Sequence, residues 1–319
     1  MIKDQWYAVL DSKELKKKKI LSIKRMGEKL VLWRDGDTIK CLVDKCAHRG
    51  AALSLGKIVE GCIQCPFHGF EYNEKGDCVK IPAKGKKSKV PDYIRVKAYP
   101  ARENLGFIWI YWGDYKEEKD LPPIPTIEDI DKKFVHHQIV DHWPVHYSRA
   151  IENQLDVMHL PFVHYNTIGR GNRTIVDGPY TELKNDKISV WVANRKDNNE
   201  EAKQRISRPS YNFQVQFIFP NLWQNRISDS FRIVVIFVPI DEENTKLYLR
   251  NYQKIVRLPL LRNVFGWFGN LGNRIIINQD KRVVITQDPI KSELKMDEKL
   301  VHGDKPIIEY RKRREELQE

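Results

Sequence analysis

No apolar stretch in this sequence approaches the ~20 residues needed to cross a bilayer as a helix. The longest runs, Ile233 to Ile240 and Ile275 to Ile277, fall far short. The opening MIKDQWYAVL has no apolar segment behind a basic one, so a secretory leader is not expected and a cytoplasmic protein is. Five cysteines in 319 residues are too few for a disulfide scaffold. No phosphate-cradling P-loop, no dinucleotide fingerprint and no plant-type C-x4-C-x2-C ferredoxin run occurs. Nucleotide and flavin chemistry would therefore have to come from another protein. What is present, 41% hydrophobic residues, is ample for two ordinary domains.

Charge is unevenly spread. The net charge is +12, of which residues 1–112 carry +10, with 23 basic against 13 acidic side chains. Two runs account for much of it: Lys16 to Lys19, and the loop bearing Lys84, Lys86, Lys87 and Lys89. A solvated lysine face explains the first run adequately. A docking face for an acidic electron donor is the functional alternative, because complementary potentials speed encounter. Neither run has interleaved aromatics or a nucleic-acid motif, so nucleic acid is not expected as a partner; with no apolar run long enough to span a bilayer, neither is a membrane.

The richest stretch is Cys41 to Phe70, in which Cys46 and His48 are followed by Cys65 and His68. The pattern reads C-x-H, sixteen residues, C-x-x-H. Two thiolates and two imidazoles suit zinc or an iron-sulfur centre, and spacing alone leaves that choice open. The surroundings, Arg49-Gly50 after His48 and Pro66-Phe67-His68-Gly69 after Cys65, are short punctuated loops between strand-like runs rather than the helix on which a zinc finger closes. They resemble the Rieske 2Fe-2S motif, in which two cysteines hold one iron and two histidines the other. Respiratory Rieske proteins add a disulfide between the two loops. No cysteine stands at those places here, and Cys41, Cys62 and Cys78 read as free, buried thiols. Without that disulfide or hydroxyl donors near the sulfurs, a low reduction potential is expected.

A second constellation lies in HYSRAIENQLDVMHLPFVH, residues 146–164. On a helix Asn153, Asp156 and His159 share one side, and His164 follows Pro161, where a helix would kink. Two imidazoles brought together by such a kink can meet at one metal, leaving room for a carboxylate and for exogenous ligands, as in the 2-His-1-carboxylate sites of non-haem Fe(II) oxygenases. The run N-x-x-D-x-x-H-x4-H resembles, position for position, the mononuclear-iron motif of Rieske oxygenases. The carboxylate is expected at Asp280, which sits among Ile276, Ile277, Val283, Val284 and Gln287 at helical spacing and so points inward. A buried carboxylate needs a partner, and a metal is a good one. Asp288 and Glu293 are the competitors. The family's Asp or Glu on a C-terminal helix, commonly with a Gln seven residues later, corresponds to Asp280 and Gln287.

The fold expected is α+β: an all-β Rieske domain over residues 1–113, a Pro-rich linker over 114–126, and a catalytic domain over 127–319. Strands are expected near Trp6 to Val9, Leu30 to Arg34, Thr38 to Val43 and Gly106 to Trp112. In the second domain Tyr211 to Phe219 alternates with period two, and Ser230 to Ile240 and Lys246 to Lys254 read as further strands. With helices over 146–164 and near 273–287, this suggests an antiparallel sheet wrapped on a helix, the helix-grip (START-like) fold of the family. Residues 165–180 read as a polar, Gly-rich loop, and the tail from Arg311 to Glu319 as a solvated helix end.

The resemblance spans nearly the whole chain and is closest in style to single-subunit-type oxygenase components, the vanillate demethylase-like, toluenesulfonate methyl-monooxygenase-like and pheophorbide oxygenase-like enzymes. The chlorophyll-degrading members end in membrane helices and a C-x-x-C, whereas residues 127–319 hold no cysteine and no apolar run of that length. It implies a 2Fe-2S cluster on Cys46, His48, Cys65 and His68, and a mononuclear Fe(II) on His159, His164 and Asp280. Asn153 and Gln287 would support that iron. Also implied are a separate NAD(P)H-dependent reductase or acidic ferredoxin, O2 and a small, aromatic or cyclic substrate. The family assembles as a head-to-tail homotrimer in which Asp156 bridges His159 to His68 of a neighbouring subunit. Monooxygenation is expected over dihydroxylation. An electron-transfer Rieske protein with a ligand-binding second domain, or a zinc-stabilised module, are the alternatives.

Overall fold

The computed structural model describes every residue except 18, 86, 87, 115, 212 and 257. Lys18, Lys86 and Lys87 of the basic runs, and Asn212 of the alternating segment, therefore lie outside the described residues. The chain forms two compact units, Met1–Thr126 and Ile127–Glu319.

The first unit is built from three small antiparallel sheets. Gln5–Asp11 and Ala101–Asn104 flank Phe107–Trp112 in one, and Ile20–Arg25, Glu28–Asp35, Thr38–Val43 and Ala98–Tyr99 make the second. The third, Lys57–Val59, Cys62–Gln64, Glu71–Tyr72 and Cys78–Lys80, carries one of the expected ligand loops. Its first hairpin turns on Glu60-Gly61, both left-handed, which is the two-residue geometry matching strand twist. Val31, Trp33, Leu42, Leu53, Ile63 and Tyr72 fill a core that also takes in the Cys46 and Cys65 side chains. Of the other thiols, Cys41 and Cys78 are buried and Cys62 is half-buried.

The second unit is a seven-stranded antiparallel sheet, in the spatial order Val135–Trp143, Thr245–Gln253, Phe231–Pro239, Leu222–Ser228, Val215–Ile218, Lys187–Arg195 and Ile175–Lys184. Four helices accompany it: α1 (Tyr147–Leu155), α2 (Leu160–Val163), α3 (Pro259–Val284) and α4 (Lys305–Glu316). The strand Val135–Trp143 pairs over all nine residues with Thr245–Gln253, and α3 runs against it. Gly266 permits that approach, since a Cβ there would lie 2.1 Å from the His137 ring.

Several expectations need correction. The helix of 146–164 does not run to Pro161. It ends at Leu155, because the Asp156 carboxylate accepts from the Met158 amide at 2.6 Å and the His159 amide at 3.3 Å, competing with helical bonding. Pro161 instead occupies the first turn of α2, where its missing N–H costs nothing. The helix expected near 273–287, α3, begins at Pro259 and stops at Val284, which leaves Gln287 beyond its end and exposed. Residues 165–180 are loop only until the strand at Ile175. The alternating segment pairs only from Val215, although Phe213, Phe217 and Phe219 are all buried.

The tail is not a solvated helix end. Arg311 and Arg314 in α4 are buried, with Arg311 gripping Glu152 of α1 through bonds of 2.8 and 2.9 Å and reaching Glu298 at 2.7 Å. Glu298 also takes a 2.8 Å bond from Arg149, and burial of its carboxyl is outweighed by these two guanidiniums, which hold it below the usual carboxylate range.

Candidate cluster-binding loops and mononuclear metal centre

The two ligand loops of the first unit share one backbone design. Gly50 and Gly69, four residues after Cys46 and Cys65, are left-handed at φ 75° and 73°. Each donates its N–H to the carbonyl of its cysteine, at 2.9 and 3.1 Å. Each cysteine N–H in turn bonds the carbonyl of the residue after the glycine, Ala51 or Phe70, at 2.8 Å. That is the physical reason for a Gly in each motif: only it enters this conformation without strain. The cysteines are buried, whereas His48 and His68 are exposed with ring centroids 4.7 Å apart. The His48 ring stacks on Phe70, 4.7 Å away and nearly parallel to it, which fixes its orientation.

Donor convergence separates the two metal chemistries. Among the described residues, the group of three or more whose donor atoms lie within 4.8 Å of one another is His159, His164 and Asp280, not the Cys/His set of the loops. A single zinc ion would gather all four loop donors in one small shell. A two-iron cluster spreads them wider. The absence of hydroxyl donors near the sulfurs, expected from the loops, is overturned by Tyr72, whose hydroxyl lies 3.2 Å from Cys46 Sγ. That residue comes from the neighbouring strand, so the loop sequences carry no trace of it.

His159 ends the loop after α1, His164 follows α2, and Asp280 sits on the inner face of α3. Asp280 Oδ1 lies 2.9 Å from His164 Nε2 and 3.5 Å from His159 Nε2. Oδ1 is nonetheless buried and accepts no hydrogen bond, so three acceptors converge on a common point rather than on one another. The other imidazole nitrogens are engaged elsewhere: His164 Nδ1 is 2.9 Å from Gln279 Oε1, and His159 Nδ1 is 3.2 Å from the Asp156 carbonyl. Both Nε2 lone pairs thus face the carboxylate, which is repulsive unless a cation lies between them. Burial alone would lower the His164 pKa, yet the Asp280 carboxylate beside it outweighs burial and raises it. The site favours positive charge, and its nitrogen and oxygen donors fit Fe(II).

Asp156, the expected catalytic bridge, caps the loop before His159, and its carboxyl is held below the usual range against the penalty of burial by bonds to His159 and the Met158 amide. Asn153 and Gln287 line a cleft of about 240 Å³ that also touches Asp156 and His159. Asp288 and Glu293 are exposed. Gln279, next to Asp280, meets His164 across 115 residues, a contact that no local pattern in the sequence signals.

A larger cavity of about 430 Å³ opens beside the three donors. Its walls are chiefly apolar, including Trp143, Leu160, Val192, Trp223, Ile233 and Leu249. Asn273, two helical turns before Asp280, also lines it, and its Nδ2 is buried without a partner. The one cationic side chain in its lining, Arg226, is paired with Asp229.

Residues 5–100 match the Rieske [2Fe-2S] domain family, and residues 143–319, more than half of the chain, match the vanillate O-demethylase oxygenase C-terminal domain family. The chain belongs to the Rieske non-haem iron oxygenases, in the branch with a vanillate O-demethylase-type C-terminal domain. The Rieske domain accounts for a 2Fe-2S cluster, and the oxygenase domain of this family binds a mononuclear non-haem iron. Within it the chain is 28% identical over 301 residues to methylxanthine N1-demethylase NdmA of Pseudomonas putida, covering 94% of this chain and 83% of that one. It is 37% identical over 171 residues to chlorophyllide a oxygenase of Chlamydomonas reinhardtii, covering 53% of this chain but only 26% of that protein, so it spans about a quarter of that relative's length. The NdmA structure superposes with a TM-score of 0.81 at 25% identity, covering 99% of this chain and 90% of NdmA. Dicamba monooxygenase shares the fold, with a TM-score of 0.76 at 19% identity and coverage of 100% and 98%. No helix among the described residues is long and apolar enough to cross a membrane.

Proposed function

We propose that the chain is the terminal oxygenase component of a multicomponent Rieske oxygenase, taking electrons from a separate reductase or ferredoxin and oxidising a small organic substrate with O2. The observation that carries this reading is the buried Asp280 Oδ1, unpartnered yet facing two imidazoles. A protein that only relays electrons has no use for such a centre. Iron held by His159, His164 and Asp280 would supply O2 activation. Cys46 and Cys65 would anchor the inner iron of the cluster, and His48 and His68 would present the outer iron at the surface, where an electron can leave.

Asp156 is the group we assign to coupling. Its Oδ2 lies 3.9 Å from His159 Nδ1, and it is half-buried, so a further imidazole can reach it. In a head-to-tail homotrimer, His68 of a neighbouring subunit would be that imidazole, and the carboxylate would orient both rings. The cavity supports an uncharged, largely apolar ring compound with one hydrogen-bond acceptor, because Asn273 offers a donor and no unpaired cation faces inward. Hydroxylation or oxidative demethylation is favoured over dihydroxylation by likeness to the monooxygenase branch.

The test begins with iron, acid-labile sulfide and EPR of anaerobically purified protein. Three irons and two sulfides per chain with a Rieske-type signal are expected; zinc without sulfide, or no third iron after Fe(II) addition, would refute the reading. Asp156→Ala should keep both centres yet lose activity by about 10–100-fold with a reductase.

A further inference from the structure

The first half of α3 is amphipathic in the wrong sense for a helix packed on its own domain. Surface helices turn their apolar stripe to the core, as Ile277 and Val284 of the second half do. The inward positions of the first half instead carry small and polar groups: Gly266 lies against His137, Asn270 Nδ2 reaches the Gln138 carbonyl at 3.4 Å, and Asn273 faces the cavity. The large apolar side chains of this half point out. Leu261, Phe265, Trp267, Phe268, Leu271 and Ile275 are 40–63% exposed. They lie over about 21 Å of helix at ~1.5 Å per residue. An exposed apolar face of this extent marks an interaction site.

Two further observations select the occupant. Between residues 259 and 279 there is no Asp or Glu, and the charges are Arg262 and Arg274. Two copies packed on this face by a two-fold axis would set these arginines against like charge, whereas an anionic surface complements them. The apolar face is also continuous with the cavity. Ile168 and Ile227 are more than half exposed and line its mouth, and Ile276 on α3 lines it as well. We propose that α3 lies in the interface of an anionic lipid bilayer, and that an apolar substrate passes from the lipid into the cavity without crossing water. Trp267 and Phe268 would sit at headgroup depth, with the arginines meeting lipid phosphates. The helix lies on the membrane and does not span it. Expecting no membrane partner from the lack of a long apolar run addresses spanning alone. The delivery step rests on the oxygenase reading; the docking step does not.

The test uses the holoprotein with vesicles of three parts phosphatidylcholine to one part phosphatidylglycerol, and with phosphatidylcholine alone. Co-sedimentation with the anionic vesicles is expected, weakened at high salt. Trp267 is the exposed one of eight tryptophans, so bromine-labelled lipid should quench it and shift its emission to the blue. Leu261→Gln with Phe268→Gln should lower vesicle affinity by about tenfold or more while the cluster spectrum stays intact. Arg262→Glu with Arg274→Glu should remove the salt-sensitive part. Monodisperse wild-type protein that binds neither vesicle and shows no quenching overturns the proposal. So does concentration-dependent self-association abolished by the same substitutions, which would assign the face to a second copy. None of these readouts uses turnover, so failure of the oxygenase reading would be seen separately in the iron analysis.

Discussion

His164 Nδ1 lies 2.9 Å from Gln279 Oε1, and this contact decides which imidazole nitrogen faces Asp280. The Gln279 amide is itself fixed: its Oε1 accepts from Thr167 Oγ1 at 2.8 Å, and its Nε2 donates to Asn166 Oδ1 at 2.7 Å. With the amide oxygen toward the ring, Nδ1 carries the proton and Nε2 keeps its lone pair for a metal. Adjacent residues of α3 thus address the two nitrogens of one imidazole.

Gln279→Leu should therefore weaken Fe(II) binding by about 10–100-fold without altering the 2Fe-2S spectrum. Titration of iron into the protein, with the cluster absorbance as internal control, measures it. Unchanged affinity would mean that Asp280 and packing orient His164 unaided.

Tyr72 provides a matching test in the first unit. Its hydroxyl is 3.2 Å from Cys46 Sγ, and burial followed by the nearby sulfur raises its pKa, so it stays protonated and able to donate to a thiolate. Such a bond stabilises the reduced, more negative cluster. Tyr72→Phe should lower the midpoint potential by several tens of mV, since about 59 mV corresponds to a tenfold change for one electron. Redox titration followed by EPR reads it directly, and an unshifted potential would show that the hydroxyl does not bond the sulfur.

What the sequence made legible was local. The two Cys/His loops, His159 and His164 could be found because ligand type, spacing and the glycines that shape the loops lie within a few residues of one another. Asp280 could be found because an acid among Ile276, Ile277 and Val284 at helical spacing has to point inward, and it is buried. Gln279 could not, because its role depends on where α2 delivers His164. Tyr72 and Arg311 escaped for the same reason: one meets Cys46 from another strand, and the other meets Glu152 at a separation of 159 residues. A run such as RKRREELQE is solvated by composition, and only long-range pairing buries two of its arginines. The end of α1 at Leu155 was hidden by the helical periodicity of Asn153, Asp156 and His159. Side-chain capping by Asp156 prevailed over that pattern.

His146 predicts a pH dependence of stability. It caps α1, accepting from the Ser148 amide at 3.3 Å, with Nδ1 2.8 Å from Ser148 Oγ. Its Nε2 is buried without a hydrogen bond, with the exposed Glu242 carboxylate 3.6 Å away. Burial first, and then the positive Arg314 and Lys291, depress its pKa from 6.5 to about 3. The unfolded chain therefore binds a proton below 6.5 that the folded chain refuses until about 3. Stability is lost as pH falls through that window, by roughly 2 kcal/mol at pH 5. Urea unfolding at pH 7 and 5 should show that much less acid sensitivity in His146→Gln than in wild type. Equal sensitivity would mean His146 is not the group responsible.

Arg311 connects the C-terminal helix to the metal centre. Both of its bonds to Glu152 end on α1, four residues before Asp156, where the loop that carries His159 starts. Arg311→Ala leaves Glu152 buried with only the longer 3.4 Å contact to Arg149, a loss of about 3–5 kcal/mol when one member of a buried pair is removed. Replacing both members, Arg311→Met with Glu152→Gln, removes the stranded charge and should recover a large part of that loss. Denaturant unfolding of the two variants distinguishes a structural clamp from a dispensable surface pair, because equal destabilisation of both would show that packing, not charge, holds α4. Iron retention reports on the site itself. If α4 braces α1, Arg311→Ala should release Fe(II) at lower denaturant concentration than the double variant does, ahead of loss of the 2Fe-2S absorbance.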